Sequence, residues 1–435
     1  MSGLRRELGL RDLVLFNIAA VAGIRWLAAA AHAGPGSITL WVLAAVAFFV
    51  PSALAVSALS RRFPEHGGIY IWTRESFGDW HGFLCGWCYW LSNFFFLPSL
   101  LLAGVGMASL ALGFAEDQAW AMTLAMVVLW ASLVTNLVGI RVGKWTENIG
   151  GFATYAAGAL LIAAAAIAAT KSGFSVPLSL VPDASLEKLN LWSQIAFAFG
   201  GLELGAIMGG EIHDPRRTVP RAAWISGIAV AAFYILGTLS FLVFLPPDQV
   251  NVVTGLVQVA SAAEKSLGIP HLGIAVALLV LLGLAGQIGA WTGGTARVPF
   301  VLGMDRHLPA AFARLHPRWQ TPYLAILMQG AACTFFLLAA QTGESFRAGY
   351  QILVDLTVIS YFLPFLYLFG AAWKIGQRAT AASGIAVTLV AVGLAFVPLA
   401  GVASFWLFEA KLLGGTALLI GSGWLCFRRY RSAKE

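Results

Sequence analysis

Two apolar stretches of this chain each carry an ionisable residue beside glycine. In Leu191–Ile212, Gly200-Gly201 precede Glu203; in LVLFNIAAVAGIRWLAAAAHAGPGSI, Gly23 is followed by Ile24 and Arg25. A carboxylate or guanidinium at membrane depth is costly unless it faces protein, water or an opposite charge. Adjacent glycines weaken a helix by about 1 kcal/mol each relative to alanine. Together these features describe helices that open at mid-membrane and offer backbone groups to a bound solute. Arg25 is charged at any relevant pH. Three roles fit it: pairing a substrate carboxylate bidentately, standing in for a cation that would hold two opened helices together, or pairing with Glu203 or a cluster of helix-end carbonyls. Glu203 reads either as a buried acid hydrogen-bonded to neighbouring backbone, stabilising the break, or as a proton carrier.

Other chemistry-bearing residues are sparser. Phe197, Phe199 and Trp291 are large rings that pack a core or close over a solute. Asn93 offers donor and acceptor, to a neighbouring helix or to cargo. His32 lies two turns beyond Arg25 on the same face, where the span is ending. Asp355, near the start of its span, suits the positive end of a helix. Cys85 and Cys88 form a CxxC inside FLCGWCYWL, which reads as small packing residues and not as a metal or redox site. No cofactor, metal or ATP-binding motif is expected.

The elements that position these residues follow from composition. Of 435 residues, 59% are hydrophobic and 11% charged, and the mean hydropathy is +0.81. Apolar runs long enough to span a bilayer recur along the whole length, which excludes a soluble protein. The net charge of +7 is spread over short loops and does not suggest nucleic-acid binding. The expectation is an all-α polytopic membrane protein, a single transmembrane domain over 1–435 with about twelve spans: Leu10–His32, Leu40–Leu59, His81–Leu112, Ala119–Gly139, Thr146–Thr170, Leu191–Ile212, Ala222–Leu245, His271–Leu302, Pro322–Gln341, Gln351–Trp373, Ser383–Val402 and Phe405–Phe427. The basic residues of the loops fall on one side, with only Lys171, Lys188, Lys265 and Arg347 opposite. By the positive-inside rule both termini lie in the cytoplasm of a cell (plasma or inner) membrane.

The sixth span then starts outside while the first starts inside. Residues 10–170 and 191–378 read as two inverted five-helix repeats interrupted at matching depth in their first members, with 383–427 adding two helices. The cytoplasmic loops mix Pro, Gly and paired charges, as in Arg61-Arg62-Glu65 and Asp214-Arg216-Arg217, and read as structured hinges. The outer segments 171–190 and 246–270 read as lids.

Three separated motifs carry a family resemblance: FPEHGGIY running into GFLCGW, FAFGGLE followed by GEIHDPRRTVPRA, and TARVPFVLGMDRHLPAAFARLHP. On these the chain resembles the APC (amino acid–polyamine–organocation) superfamily, whose fold is the LeuT-type five-plus-five repeat. WLSN at Trp90–Asn93 and GAWT at Gly289–Thr292 are similar to the arginine/agmatine antiporter branch. There the matching Asn touches substrate, the Trp shapes the pocket, and the position of Phe197 is an aromatic gate. FFVPSALA and FFFLPSLL are similar to the glutamate/GABA branch. Two departures stand out. The second glycine of the family's first-helix break is Arg25 here. Thr154 stands where sodium-independent members often carry a fifth-helix Lys. The resemblance implies a secondary transporter of an amino acid or derivative, working by alternating access as a proton-coupled symporter or uniporter, or as an exchanger. Val21, Gly23, Ile24, Arg25, Asn93, Phe197, Gly200, Gly201 and Trp291 would touch substrate, and Arg25, Glu203, Phe199 and Thr154 would gate or couple. An embedded enzyme or a channel fits poorly; a transport-inactive sensor or accessory subunit on the same fold is the alternative that Arg25 keeps open.

Overall fold

The computed structural model describes residues 7–63, 68–114, 117–339, 346–397 and 405–431. Among these residues nine helices are long and apolar enough to cross a bilayer: Ser37–Arg62, Asp79–Leu112, Gln118–Val138, Arg141–Ser172, Pro215–Phe244, Leu272–Met304, Gly349–Lys374, Arg378–Ala395 and Phe408–Tyr430. A tenth crossing is made by Leu10–Val21 and Arg25–Ala33, bent by 49°. Tyr323–Ala339 is a shorter apolar helix, the ninth in chain order. The sixth crossing is in pieces: Leu186–Phe197, then Leu204–Ile207 and a 3-10 turn at Gly209–Glu211. Among the described residues each of the twelve expected spans has a helical counterpart, with the expected ends at Gln341 and Val402 outside the described residues, and both expected interruptions are present.

Local chemistry explains the breaks. Helical geometry stops at Ala22, whose ψ of 80° turns the chain out of the helix before Arg25 restarts it. In the sixth span Gly201 has a φ of +114°, a conformation that residues with a Cβ rarely adopt. A Cβ there would also lie 3.0 Å from Val21 Cγ2 and 3.2 Å from Trp291 Cζ2. The two breaks and the eighth span therefore meet at one point.

Other features differ from the sequence reading at identifiable signals. The seventh span begins at Pro215 and not at Ala222, because Pro215 occupies the first helical turn, where its missing N–H is no loss. Hydropathy missed two short helices, Ile69–Phe77 and Gly255–Leu267. The second span holds a π-helical turn at Ala45–Phe49, one residue ahead of Pro51, which cannot donate into the helical ladder. The fifth and eighth spans touch backbone to backbone: a Cβ on Gly150 would lie 2.5 Å from Gly286 Cα, and one on Gly286 2.6 Å from Gly150 Cα. Such small-residue contacts bring membrane helices close enough for dense packing.

Candidate substrate site

Each break is tied to its neighbours by one tyrosine-centred cluster. At the first, the Tyr234 hydroxyl of the seventh span accepts from Gly23 N at 3.2 Å. It faces two acceptors, Val21 O at 2.6 Å and Ala198 O at 2.9 Å. One hydroxyl has one proton, so these carbonyls, one from each broken span, compete for it. At the second, the Glu203 carboxyl accepts from Tyr361 OH at 2.5 Å, Tyr89 OH at 2.6 Å and Gly201 N at 3.2 Å. Glu203 is thus anchored to the tenth and third spans and not to Arg25. Of the roles weighed for the two, their mutual pairing is replaced by this tyrosine clasp, because Glu203 and Arg25 face different neighbours.

Arg25 opens the second half of the first span and is 3% exposed. Its Nη1 donates to Ser99 Oγ at 3.0 Å. Its guanidinium carbon lies 4.2 Å from the Trp26 ring centroid and 5.0 Å from that of Phe96. Aromatic faces and the hydroxyls of Ser99 and Tyr350 partly replace its hydration. Its Nε has no hydrogen-bond partner, and among the described residues no carboxylate lies within ion-pair distance of it. Beside it a cavity of about 20 Å³, room for roughly one water, is lined by Ala22, Ile24, Thr154, Gly283 and Gln287 among others. Thr154 therefore sits next to the Arg25 pocket. Gln287, unremarked in the sequence, donates from Nε2 to Ala20 O at 3.0 Å; Trp291 Nε1 donates to the same oxygen at 2.8 Å.

Rings close the space between the breaks. Phe197 meets Tyr361, Trp26 and Phe96 at centroid distances of 5.1, 5.5 and 6.1 Å. Trp291 meets Phe96 at 4.9 Å and Tyr361 at 5.6 Å. Phe199 turns to a different cluster, with Tyr234 at 5.5 Å and Trp41 and Phe49 at 5.8 Å each. Asn93 spends its amide on Tyr89 O, one turn back, and its buried Oδ1 has no partner.

Several candidates fall elsewhere. His32 Nδ1 lies 2.8 Å from Val250 O, at the end of the first span. Asp355 is not in the first turn of its helix, which begins at Phe346; it is fully buried and accepts from Gln351 and Asn190. Cys85 and Cys88 are buried and free, and no metal-binding group is found among the described residues. Asp214 pairs loosely with Arg217 at 3.7 Å, both exposed; Glu65 lies outside the described residues. The sequence reading missed Tyr89, Tyr234 and Tyr361. Their signal was available: a phenol in the middle of an apolar span needs a partner.

A helical membrane protein with two opened spans facing each other across a shared aromatic closure defines a solute carrier. Over residues 8–415 the chain matches the amino acid permease family, and it belongs to that family. It is 26% identical to an uncharacterised transporter of Legionella pneumophila, over 99% of this chain and 98% of that one. It is 23% identical to the serine/threonine exchanger SteT of Bacillus subtilis, over 84% of each. The fold is that of MhsT, solved in complex with L-phenylalanine: TM-score 0.61 and 16% identity, covering 98% of this chain and all of that one. Family and fold are those of secondary transporters and not of enzymes.

Proposed function

We propose that this permease carries an amino acid, or a close derivative, with a free carboxylate held by Arg25. The observation that carries this reading is a buried guanidinium, with an unpartnered Nε, at the start of a half-helix facing the opened sixth span. Trp26 N and Leu27 N are spent on Gly23 O and Ile24 O, at 3.0 and 3.3 Å; the Ile24 and Arg25 amides ahead of them, at the positive end of the half-helix, join the guanidinium in holding the anion. An ammonium suits the opposite charge: Val21 O and Ala198 O share a single hydroxyl proton between them, leaving acceptor capacity. Gly23, Gly200 and Gly201 keep the backbone open, Asn93 Oδ1 adds an acceptor, and Phe197 and Trp291 close over the solute. Glu203 holds the sixth-span break to the third and tenth spans, Thr154 lines the pocket beside Arg25, and Phe199 packs behind the first break against Tyr234. The one-sided basic loops support a topology with both termini in the cytoplasm. Transport is driven by protons or by exchange.

The test is counterflow in proteoliposomes with a panel of labelled amino acids and the decarboxylated amine of each. Carboxylate-bearing solutes should move and the amines should not. Arg25→Ala should lower uptake at least tenfold or change the selectivity; unchanged kinetics and selectivity would falsify the central role. The small cavity beside Arg25 favours a second reading, a sensor in which Arg25 itself fills the site. Saturable thermal stabilisation by an amino acid without flux would select it.

A further inference from the structure

Away from the breaks, the eighth span carries a second buried cation. Arg297 donates to Glu211 from Nε at 2.6 Å and Nη2 at 3.0 Å, and its Nη1 donates to Gly293 O. The two side chains are 5% and 2% exposed, the most buried ion pair among the described residues. Glu211 closes the sixth span's inner piece, so this pair fastens that piece to the eighth span.

A second carboxyl crowds the same place. Glu147 of the fifth span is 6% exposed. Its Oε1 lies 3.5 Å from where a Cβ on Gly293 would be, and 3.9 Å from one on Gly289. The glycines of the eighth span thus leave the room that Glu147 fills. Among the described residues Glu147 makes no hydrogen bond and no ion pair within 4 Å, and the charged groups that face it are Arg297 and Glu211. The fourth span supplies Asn136, whose amide is spent on Ser132 O, and no ionisable side chain. In the first span Asp12 is held by Lys144 at 3.7 Å. The seventh span's Arg216, Arg217 and Arg221 are exposed.

One buried guanidinium therefore serves two buried carboxyls. The trio is neutral only when one carboxyl holds a proton, and a net buried charge is costly. Glu211 makes both charge-assisted contacts to Arg297, so the proton belongs on Glu147.

We propose that Glu147 is a proton-binding site, and that it replaces Glu211 as the counter-anion of Arg297 when the carrier opens on the basic-loop face. This rests on the transport reading above. As the inner piece of the sixth span leaves the eighth, Arg297 loses Glu211. The Glu147 O–H bond breaks, its electrons stay on the carboxylate now facing Arg297, and the proton passes to water. A cavity of about 250 Å³ lined by Glu7, Arg141, Arg318, Glu211 and Arg297 receives it. Closure reverses each step.

The test compares wild type, Glu147→Gln and Glu147→Asp in proteoliposomes, with counterflow measured against internal pH and proton movement followed by an entrapped dye. Wild-type flux should vary with internal pH and carry protons. Glu147→Gln should lose both the pH dependence and the proton signal, and Glu147→Asp should keep them with a displaced pH profile. Wild-type pH dependence and proton signal in Glu147→Gln would overturn the site. Infrared difference spectra between high and low pH give a second readout that needs no flux: a protonated-carboxyl band present in wild type and missing in Glu147→Gln. Its persistence in the Gln variant would also overturn the proposal. If wild type moves no amino acid, the transport reading fails on its own, and the infrared arm still decides Glu147.

Discussion

Tyr89 and Tyr361 both donate hydrogen bonds to one carboxyl oxygen of Glu203. A hydrogen bond to a charged group contributes about 1.5–3 kcal/mol, and a buried acceptor that loses a donor is left costly. Tyr361→Phe is expected to destabilise the protein by about 2 kcal/mol, measured as a fall in thermal stability in detergent. Tyr89→Phe should cost a similar amount. Because both donors serve one oxygen, the double variant should depart from additivity; a strictly additive result would show that they act separately. At this scale the sequence was half legible. Glycine beside charge is a local property, so Gly23, Arg25, Gly200, Gly201 and Glu203 could be read directly. Partners are not local: a tyrosine in an apolar run has the same hydropathy whether or not its hydroxyl bonds a carboxylate a hundred residues away. The same limit hid the Glu211–Arg297 pair and left open whether Arg25 met Glu203.

The elements were more legible than their partners, because a span is defined by its own twenty residues. The sixth span shows where that ends: hydropathy sees one run from Leu191 to Ile212, while the backbone is helical only to Phe197 and again from Leu204. Glycine marked the interruption, and the conformation of Gly201 explains it. Gly201→Ala would force a side chain into a left-handed conformation and against Val21 and Trp291, at a cost of about 1–3 kcal/mol. Folded protein is expected to survive with uptake reduced tenfold or more; wild-type uptake would mean that the break is not part of the transport path. The crossing of the fifth and eighth spans is stricter. Gly286→Leu has no space to enter, and size-exclusion chromatography should show loss of the monodisperse protein. The helices Ile69–Phe77 and Gly255–Leu267 escaped a reading tuned to spans, being too short and too polar for that window.

For the whole molecule, charge placement supports the proposed orientation, with the basic-loop face in the cytoplasm. Ser179→Cys, in the exposed segment before the sixth span, should react with a membrane-impermeant maleimide on intact cells. Arg314→Cys, after the eighth span, should react only once the membrane is opened. The reverse pattern would invert the topology and with it the direction of the proposed proton release. Ahead of the first half-helix, Glu7 N and Leu8 N donate to Glu211 O at 3.0 Å each, and His213 N donates to Leu8 O at 2.9 Å. This short parallel bridge joins the ends of the two interrupted helices on the basic-loop face. If the bridge holds through the transport cycle, the passage on that side has one moving jaw in place of two. Leu8→Pro, which removes one donor of the bridge, should let the two ends part independently, read as faster loss of preloaded amino acid from proteoliposomes that have no exchange substrate outside.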